Sequence, residues 1–263
     1  MRFQWRCTLA QGKYWWSLAV VLMMVLAVVV DACVPGCQCT MVGTKKKQRG
    51  RRVECSKHTA PLTSLAHLTF PPDTVHLDLT QNQLVLLKER SFIQLSMLRK
   101  LNLSNNEISI MEPGAFEGLE NLRHLDLSNN RIGSINSSMF TGLPKLEKLW
   151  LNDNHISTIP DGTFNDLTSL RRVDFGSNYL LCDCHLKWVV QWAASKKVRL
   201  TREMVCALPP PMKGRMLRKL SDDQLHCDHN LQLPVFEIKP SHNQLVFEGD
   251  KLPFECRASN YPP

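Results

Sequence analysis

The chain has 263 residues, ten cysteines and a formal charge of +8, enough length for two or three modules. The basic excess is mild, which excludes the charge density of a nucleic-acid-binding protein and leaves no nucleic-acid partner expected. Arg2, Arg6 and Lys13 precede an apolar run at residues 18–30, and Val30-Asp31-Ala32 offers small or apolar residues before a cut. This is the pattern of a secretory signal over residues 1–32, cleaved near Ala32. Thirteen apolar residues are short for a membrane span, which needs about 20. An uncleaved signal anchor is the rival reading. Cys7 falls in the removed segment and needs no partner.

Export makes the other cysteines legible as disulfides. Cys33, Cys37, Cys39 and Cys55 form a C-x3-C-x-C-x15-C group in a first region, residues 33–74. Spacing alone allows three connectivities. Between them lie Lys45, Lys46, Lys47, Arg49, Arg51 and Arg52, six positive charges in eight residues. Such a run fits heparan sulfate or another polyanion, and a solvated loop between two cysteines accounts for the same composition. Pro71-Pro72 then breaks regularity before the first full strand.

Residues 75–178 overlay on themselves at an offset of 24. Asn82, Asn106, Asn130, Asn154 and Asn178 form one column; Phe92, Phe116, Phe140 and Phe164 form another. Leu77, Leu101, Leu125, Leu149 and Val173 make a third, and Leu79, Leu103, Leu127, Leu151 and Phe175 a fourth. The unit Leu98-Arg99-Lys100-Leu101-Asn102-Leu103-Ser104-Asn105-Asn106 is the leucine-rich-repeat signature. Four full repeats and a partial fifth are expected. Leu101 and Leu103 alternate inward on a short strand, while Asn106 bonds the backbone of the turn and its neighbours. One repeat cannot bury its own apolar strip, so the repeats stack into a solenoid with a parallel sheet on its concave wall.

Outward positions on that wall form lanes. His76, Lys100, His124, Lys148 and Arg172 make a basic lane. Asp78, Asn102, Asp126, Trp150 and Asp174 make the next, and Thr80, Ser104, Ser128, Asn152 and Gly176 a third. Cross-strand ion pairing between lanes is one expectation. Trp150 projects a large ring among polar residues, the character of a binding anchor; packing on Lys148 or under a glycan is its structural alternative. The candidate protein contacts are Trp150, Lys148, Lys100, His124, Asp126, Arg172 and Asp174. Sequons stand at Asn102 and Asn136, the first on the wall and the second on a convex loop.

The period stops after Asn178. Cys182, Cys184, Cys206 and Cys227 form a C-x-C-x21-C-x20-C group within residues 179–228. Leu186, Val189, Val190 and Ala193 have amphipathic-helix spacing, with Trp188 and Trp192 expected at its flank. His185, His226 and His229 lie near cysteines, but C-x-C is too tight for the usual zinc ligand pair, so no metal or cofactor is expected. Lys196, Lys197, Arg199, Arg202, Lys213, Arg215, Arg218 and Lys219 make a second basic region, read as a solvated face. Residues 229–239, with Pro234, read as a linker. From residue 240 a strand, a Glu248-Gly249-Asp250 turn and alternating Leu252, Phe254 and Cys256 follow.

Both cysteine groups resemble the caps of extracellular leucine-rich-repeat proteins. That resemblance implies Cys33–Cys39 and Cys37–Cys55 at the N-terminus, and Cys182–Cys206 and Cys184–Cys227 at the C-terminus. Residues 240–263 resemble the opening of an immunoglobulin domain, whose second cysteine and buried Trp would lie further on. Cys256 is then an orphan made by truncation. The expected fold class is an α/β leucine-rich-repeat solenoid with disulfide-bonded N- and C-terminal caps, followed by the truncated start of an all-β immunoglobulin domain.

Two stretches narrow the family. Leu180-Leu181-Cys182-Asp183-Cys184-His185-Leu186-Lys187-Trp188 and Pro240-Ser241-His242-Asn243-Gln244-Leu245-Val246-Phe247-Glu248-Gly249-Asp250-Lys251-Leu252-Pro253-Phe254-Glu255-Cys256 look like the extracellular region of group A adhesion G-protein-coupled receptors, as does Ser128-Asn129-Asn130-Arg131-Ile132-Gly133. The resemblance implies cell-surface adhesion, Wnt-pathway co-receptor work, an extracellular protein ligand or co-receptor, and membrane attachment through a later C-terminal region. The competing expectations are a secreted matrix or guidance protein, or the ectodomain of a receptor kinase or matrix peroxidase. No nucleophile with a base and orienter stands out and no glycine-rich phosphate loop appears, so these residues are not expected to form an enzyme.

Overall fold

The computed structural model describes residues 33–43, 49–56, 60–201 and 204–227, and the backbone of strands Val235–Lys239 and Glu255–Ser259. The expected signal at residues 1–32 and Lys45, Lys46 and Lys47 lie outside the described residues.

Each repeat contributes one short strand because its Leu-x-Leu core positions alternate inward over two or three residues. These are β3 (Thr74–Asp78), β5 (Lys100–Asn102), β7 (His124–Asp126), β8 (Lys148–Trp150) and β9 (Arg172–Asp174), with β4 (Leu86–Leu87) and β6 (Ile110–Met111) pairing on a separate two-stranded sheet. The concave strands are parallel and in unbroken register: Leu77 opposes Leu101, then Leu125, Leu149 and Val173. Those five residues are buried, so one column of the sequence becomes one file of the core.

The asparagine column is a hydrogen-bond ladder. Asn130 accepts the N–H of Ile108 at 2.9 Å and donates to the carbonyls of Leu103 and Leu127 at 3.0 Å, and to Ser128 at 3.1 Å. Asn82, Asn106 and Asn154 repeat the arrangement and are buried. Each amide therefore ties its own turn to the preceding one. The residue just before it turns through left-handed backbone, with φ of 56°, 55°, 53° and 56° at Gln81, Asn105, Asn129 and Asp153, a region that Asn and Asp enter at low cost. Asn178 departs from its column. It is exposed, and the buried Ser177 instead donates its hydroxyl to the Ile156 carbonyl of the preceding repeat, so a serine takes the amide's place as the tie between turns.

Phe92, Phe116, Phe140 and Phe164 are fully buried on the convex side of the same core. Neighbouring centroids are 6.2 Å apart for Phe92–Phe116 and Phe140–Phe164, and each ring contributes about 1.5–3 kcal/mol by burial. Helix α1 (Lys187–Lys196) closes this file. Leu186, Val189 and Ala193 are buried beneath it, Trp192 stands 5.2 Å from Phe164, and Trp188 Nε1 donates to the Ile159 carbonyl at 2.9 Å.

The sheet is longer than five strands. A hairpin of β1 (Gln38–Val42) and β2 (Gly50–Glu54) joins β3 through parallel pairing of β2, and β10 (Arg199–Leu200) adds to β9, giving eight strands. Cys33–Cys39 and Cys37–Cys55 bridge the N-terminal end, and Cys182–Cys206 the C-terminal end; Cys184 and Cys227 are also disulfide-bonded. Gly50 sits where a Cβ would come within 2.4 Å of Val75 Cγ1 and 2.8 Å of the Asp73 carbonyl, so the close approach of β2 to the first repeat requires glycine.

Residues 226–263 form a second compact unit. Its described part is an antiparallel pair, β11 (Val235–Lys239) and β12 (Glu255–Ser259), with Ile238 opposite Cys256. The stretch read as a linker thus carries a strand, consistent with the sequence alternation of Phe236 and Ile238 with Glu237 and Lys239. The expected strand from Gln244 and the Glu248-Gly249-Asp250 turn lie outside the described residues.

Candidate protein-binding surface

The pairing register fixes the lanes. His76, Lys100, His124, Lys148 and Arg172 are aligned cross-strand neighbours, and the lane runs on at both ends, to Arg52 opposite His76 and Arg199 opposite Arg172. Lys100, Arg172 and Arg199 are exposed; His76, His124 and Lys148 are half-buried. His76 and His124 both titrate below the ordinary imidazole value. Burial is the largest cause for each, followed by repulsion from Lys100 at His76 and from Lys148 at His124.

The expected ion pairing between lanes is not the arrangement. The carboxylates of the second lane hold their own turns: Asp78 accepts from the N–H and hydroxyl of Thr80, and Asp126 from those of Ser128 at 3.0 and 2.6 Å. A two-residue Asx turn is a nearer partner than a cross-strand cation. Arg52 does reach across, to Glu54 at 2.6 Å. Among the described residues, Lys100, Lys148, Arg172 and Arg199 make no ion pair.

Asp174 is corrected as a contact candidate. It is buried, its Oδ1 accepting from Gly176 N–H at 3.0 Å and its Oδ2 from Thr201 Oγ1 at 2.5 Å. The chain leaving β10 covers this end of the lane, which no repeat period encodes. Trp150 is half-buried in the same lane, edge-on to His124 with centroids 6.1 Å apart and planes at 90°. The imidazole holds one edge of the indole and leaves part of the ring accessible, between Asp126 and Asp174 in the register.

The N-terminal basic run is dispersed. Arg51 lies in β2 with its Nε 3.1 Å from Asp73, and Arg52 is paired with Glu54. Both belong to a strand rather than to a solvated loop, because β2 must pair with β1 and β3 together; Arg49 is exposed. Of the sequons, Asn136 is exposed and accepts from Ser138 Oγ at 2.6 Å. Asn102 is half-buried in β5, with Ser104 buried beside it.

One feature escapes a reading by columns. Lys148, Arg171, Arg172, Lys196, Lys197 and Arg199 converge with Glu147 on a cleft of about 570 Å³. Glu147 is itself paired with Arg123 at 2.6 Å. The available signal was Val198-Arg199-Leu200, which repeats the basic-then-apolar pattern of Arg171-Arg172-Val173. A second cavity, of about 470 Å³, lies between residues 63–70 and the first repeat, lined in part by Leu65, Leu68, Phe70, Val85 and Ile93. No helix of the described residues is long and apolar enough to cross a membrane.

Residues 72–132 and 121–180 match the family model described as leucine rich repeat. The chain is 44% identical over 87 residues to adhesion G protein-coupled receptor A3 of Danio rerio, covering 33% of this chain and 6% of that receptor. It is 36% identical over 81 residues to leucine-rich repeats and immunoglobulin-like domains protein 3 of Homo sapiens, covering 31% of this chain and 7% of the relative. Among solved structures, a chain of the mouse RP105/MD-1 complex superposes with a TM-score of 0.50 at 28% identity, over 60% of this chain and 26% of that one. The solenoid is a leucine-rich-repeat fold, similar in sequence to adhesion receptors and to repeat-plus-immunoglobulin proteins.

Proposed function

We propose that this leucine-rich-repeat solenoid is the ligand-facing part of an extracellular, adhesion-type receptor, and that it holds a protein ligand or co-receptor on its concave wall. The carrying observation is the wall itself: an ordered basic lane, in which Lys100, Lys148, Arg172 and Arg199 make no ion pair among the described residues, beside a partly accessible Trp150, on a backbone tied turn to turn by buried asparagines. A rigid face loses little conformational entropy on binding, and an aromatic among charges is the usual anchor of such a contact. The role is binding rather than catalysis. Candidate contacts are Trp150, Lys148, Lys100, His124, Asp126 and Arg172.

Similarity to adhesion receptor A3 supports the finer reading of a G-protein-coupled adhesion receptor acting in Wnt signalling, attached to the membrane through segments beyond those compared. Similarity to a protein named for immunoglobulin-like domains supports an immunoglobulin module around β11 and β12, and with it the second reading, a secreted matrix or guidance protein. The test is binding of the secreted chain to cultured cells, with and without trypsin treatment of the cells. Trypsin-sensitive binding that Trp150→Ala weakens tenfold or more, at unchanged secretion, supports the reading. A fall in secretion instead makes Trp150 structural, and unaltered binding removes it from the contact.

A further inference from the structure

We infer that the partner presents an acidic polypeptide segment to the basic lane, seated at its C-terminal end in the cleft between the last two repeats and α1. The inference rests on the concave-wall reading and names the chemistry of its partner.

Seven strands in register each place a cation or an imidazole in one file, from Arg52 to Arg199. At about 4.8 Å between strands the file is roughly 29 Å long. Its charge is graded. The first half alternates His with Lys and has Arg52 neutralised by Glu54. The last part gathers Lys148, Arg171, Arg172, Lys196, Lys197 and Arg199 around Glu147, the one carboxylate of the described lining and already engaged by Arg123. Like charges held together without counter-charges repel one another, and an anion binding among them relieves that repulsion.

The next lane decides what kind of anion fits. Glu54, Asp78 and Asp126 stand two residues further along their strands, about 7 Å away. A polymer anionic on every unit would lay charge over these carboxylates wherever it strayed from the file. A polypeptide can place acids on the basic lane and apolar or basic groups over the carboxylates and Trp150. A helix crossing the strands offers acids at i, i+3 and i+4 with about 4.5–6 Å of rise between them, close to the spacing of the cations.

The test uses the full secreted chain with two labelled probes at 50 and 150 mM salt: an oligoglutamate peptide with glutamate at every third or fourth position and alanine or lysine between, and a heparin-derived decasaccharide. Arg171→Glu with Arg199→Glu is compared with Lys213→Glu plus Arg215→Glu, which makes the same change in net charge on exposed residues outside the cleft. The inference expects oligoglutamate affinity to fall tenfold or more in the cleft variant and to change less than twofold in the control. Equal loss in both variants, or no loss in either, overturns it. Decasaccharide binding that depends on the cleft while oligoglutamate does not bind assigns the site to sulfated glycan and also overturns it. If charge reversal lowers secretion, Arg171→Gln with Arg199→Gln gives the same comparison. Cell binding that survives the cleft variant but not Trp150→Ala leaves the concave-wall reading standing and removes this inference; cell binding that survives both removes the reading.

Discussion

Asn130→Ala and Asn178→Ala change the same column of the sequence and separate two structural roles. At Asn130 the substitution strips a partner from the buried N–H of Ile108 and from the carbonyls of Leu103 and Leu127. A buried polar group left unsatisfied costs about 1–3 kcal/mol. Two or three such groups, partly relieved by entering water, total roughly 3–4 kcal/mol. At about 2–4 °C per kcal/mol for a domain of this size, the midpoint falls by on the order of 10 °C. At the exposed Asn178 the cost stays within about 0.5 kcal/mol. Thermal or urea unfolding of the secreted chain, followed by circular dichroism, measures both. Equal effects at the two positions would refute the ladder as the device that ties turn to turn.

Other perturbations test the caps and the wall. Gly50→Ala should destabilise by about 1–3 kcal/mol through overpacking against Val75, whereas Gly133→Ala, with no atom within 4 Å of the added Cβ, should be near neutral; denaturant midpoints decide. Asp174→Ala should lower stability by removing the acceptor of Thr201 and Gly176, and should leave the affinity of the remaining folded protein within twofold of wild type. His76 and His124 have folded-state values below 6.5, so below pH 6.5 the unfolded chain binds more protons and stability falls with falling pH. Their contribution is complete above pH 6.5 and is lost as pH drops through the lower folded values. Besides burial, the groups acting on them are Arg52, Arg99, Lys100, Arg123 and Lys148, with His124 also acting on His76 and Glu147 opposing at His124. A bound acidic segment reverses part of that repulsion, so oligoglutamate binding should tighten between pH 7.5 and 5.5, and His124→Gln should flatten the profile.

The repeating part of this fold was legible because each column has one physical job. Inward leucines, stacked phenylalanines and four asparagines stand as the 24-residue period implies, and the helix carrying Trp188 and Trp192 closes the phenylalanine file as its spacing implies. What escaped depends on contacts across the end of the period. Asn178 has the right residue, yet Ser177 makes the bond to the preceding turn in its place. Asp174 has an outward position but lies beneath the chain that leaves β10. Arg51 and Arg52 read as part of a charge run, yet they are strand residues whose cations meet Asp73 and Glu54. The lane from Arg52 to Arg199 needed the registers of β2 and β10, which pair through the caps rather than the repeat.

The central claim is that the concave wall holds the partner, and a glycan wedge tests it most directly. Lys148→Asn with Trp150→Thr creates an acceptor in the middle of the wall while leaving the buried Leu149 between them unchanged. Occupancy is confirmed by a glycosidase-sensitive mass shift, and binding to trypsin-sensitive sites on cells is then measured. The account predicts secretion near wild type and loss of cell binding. A glycosylated wedge that binds as well as wild type would contradict it and move the contact off the wall.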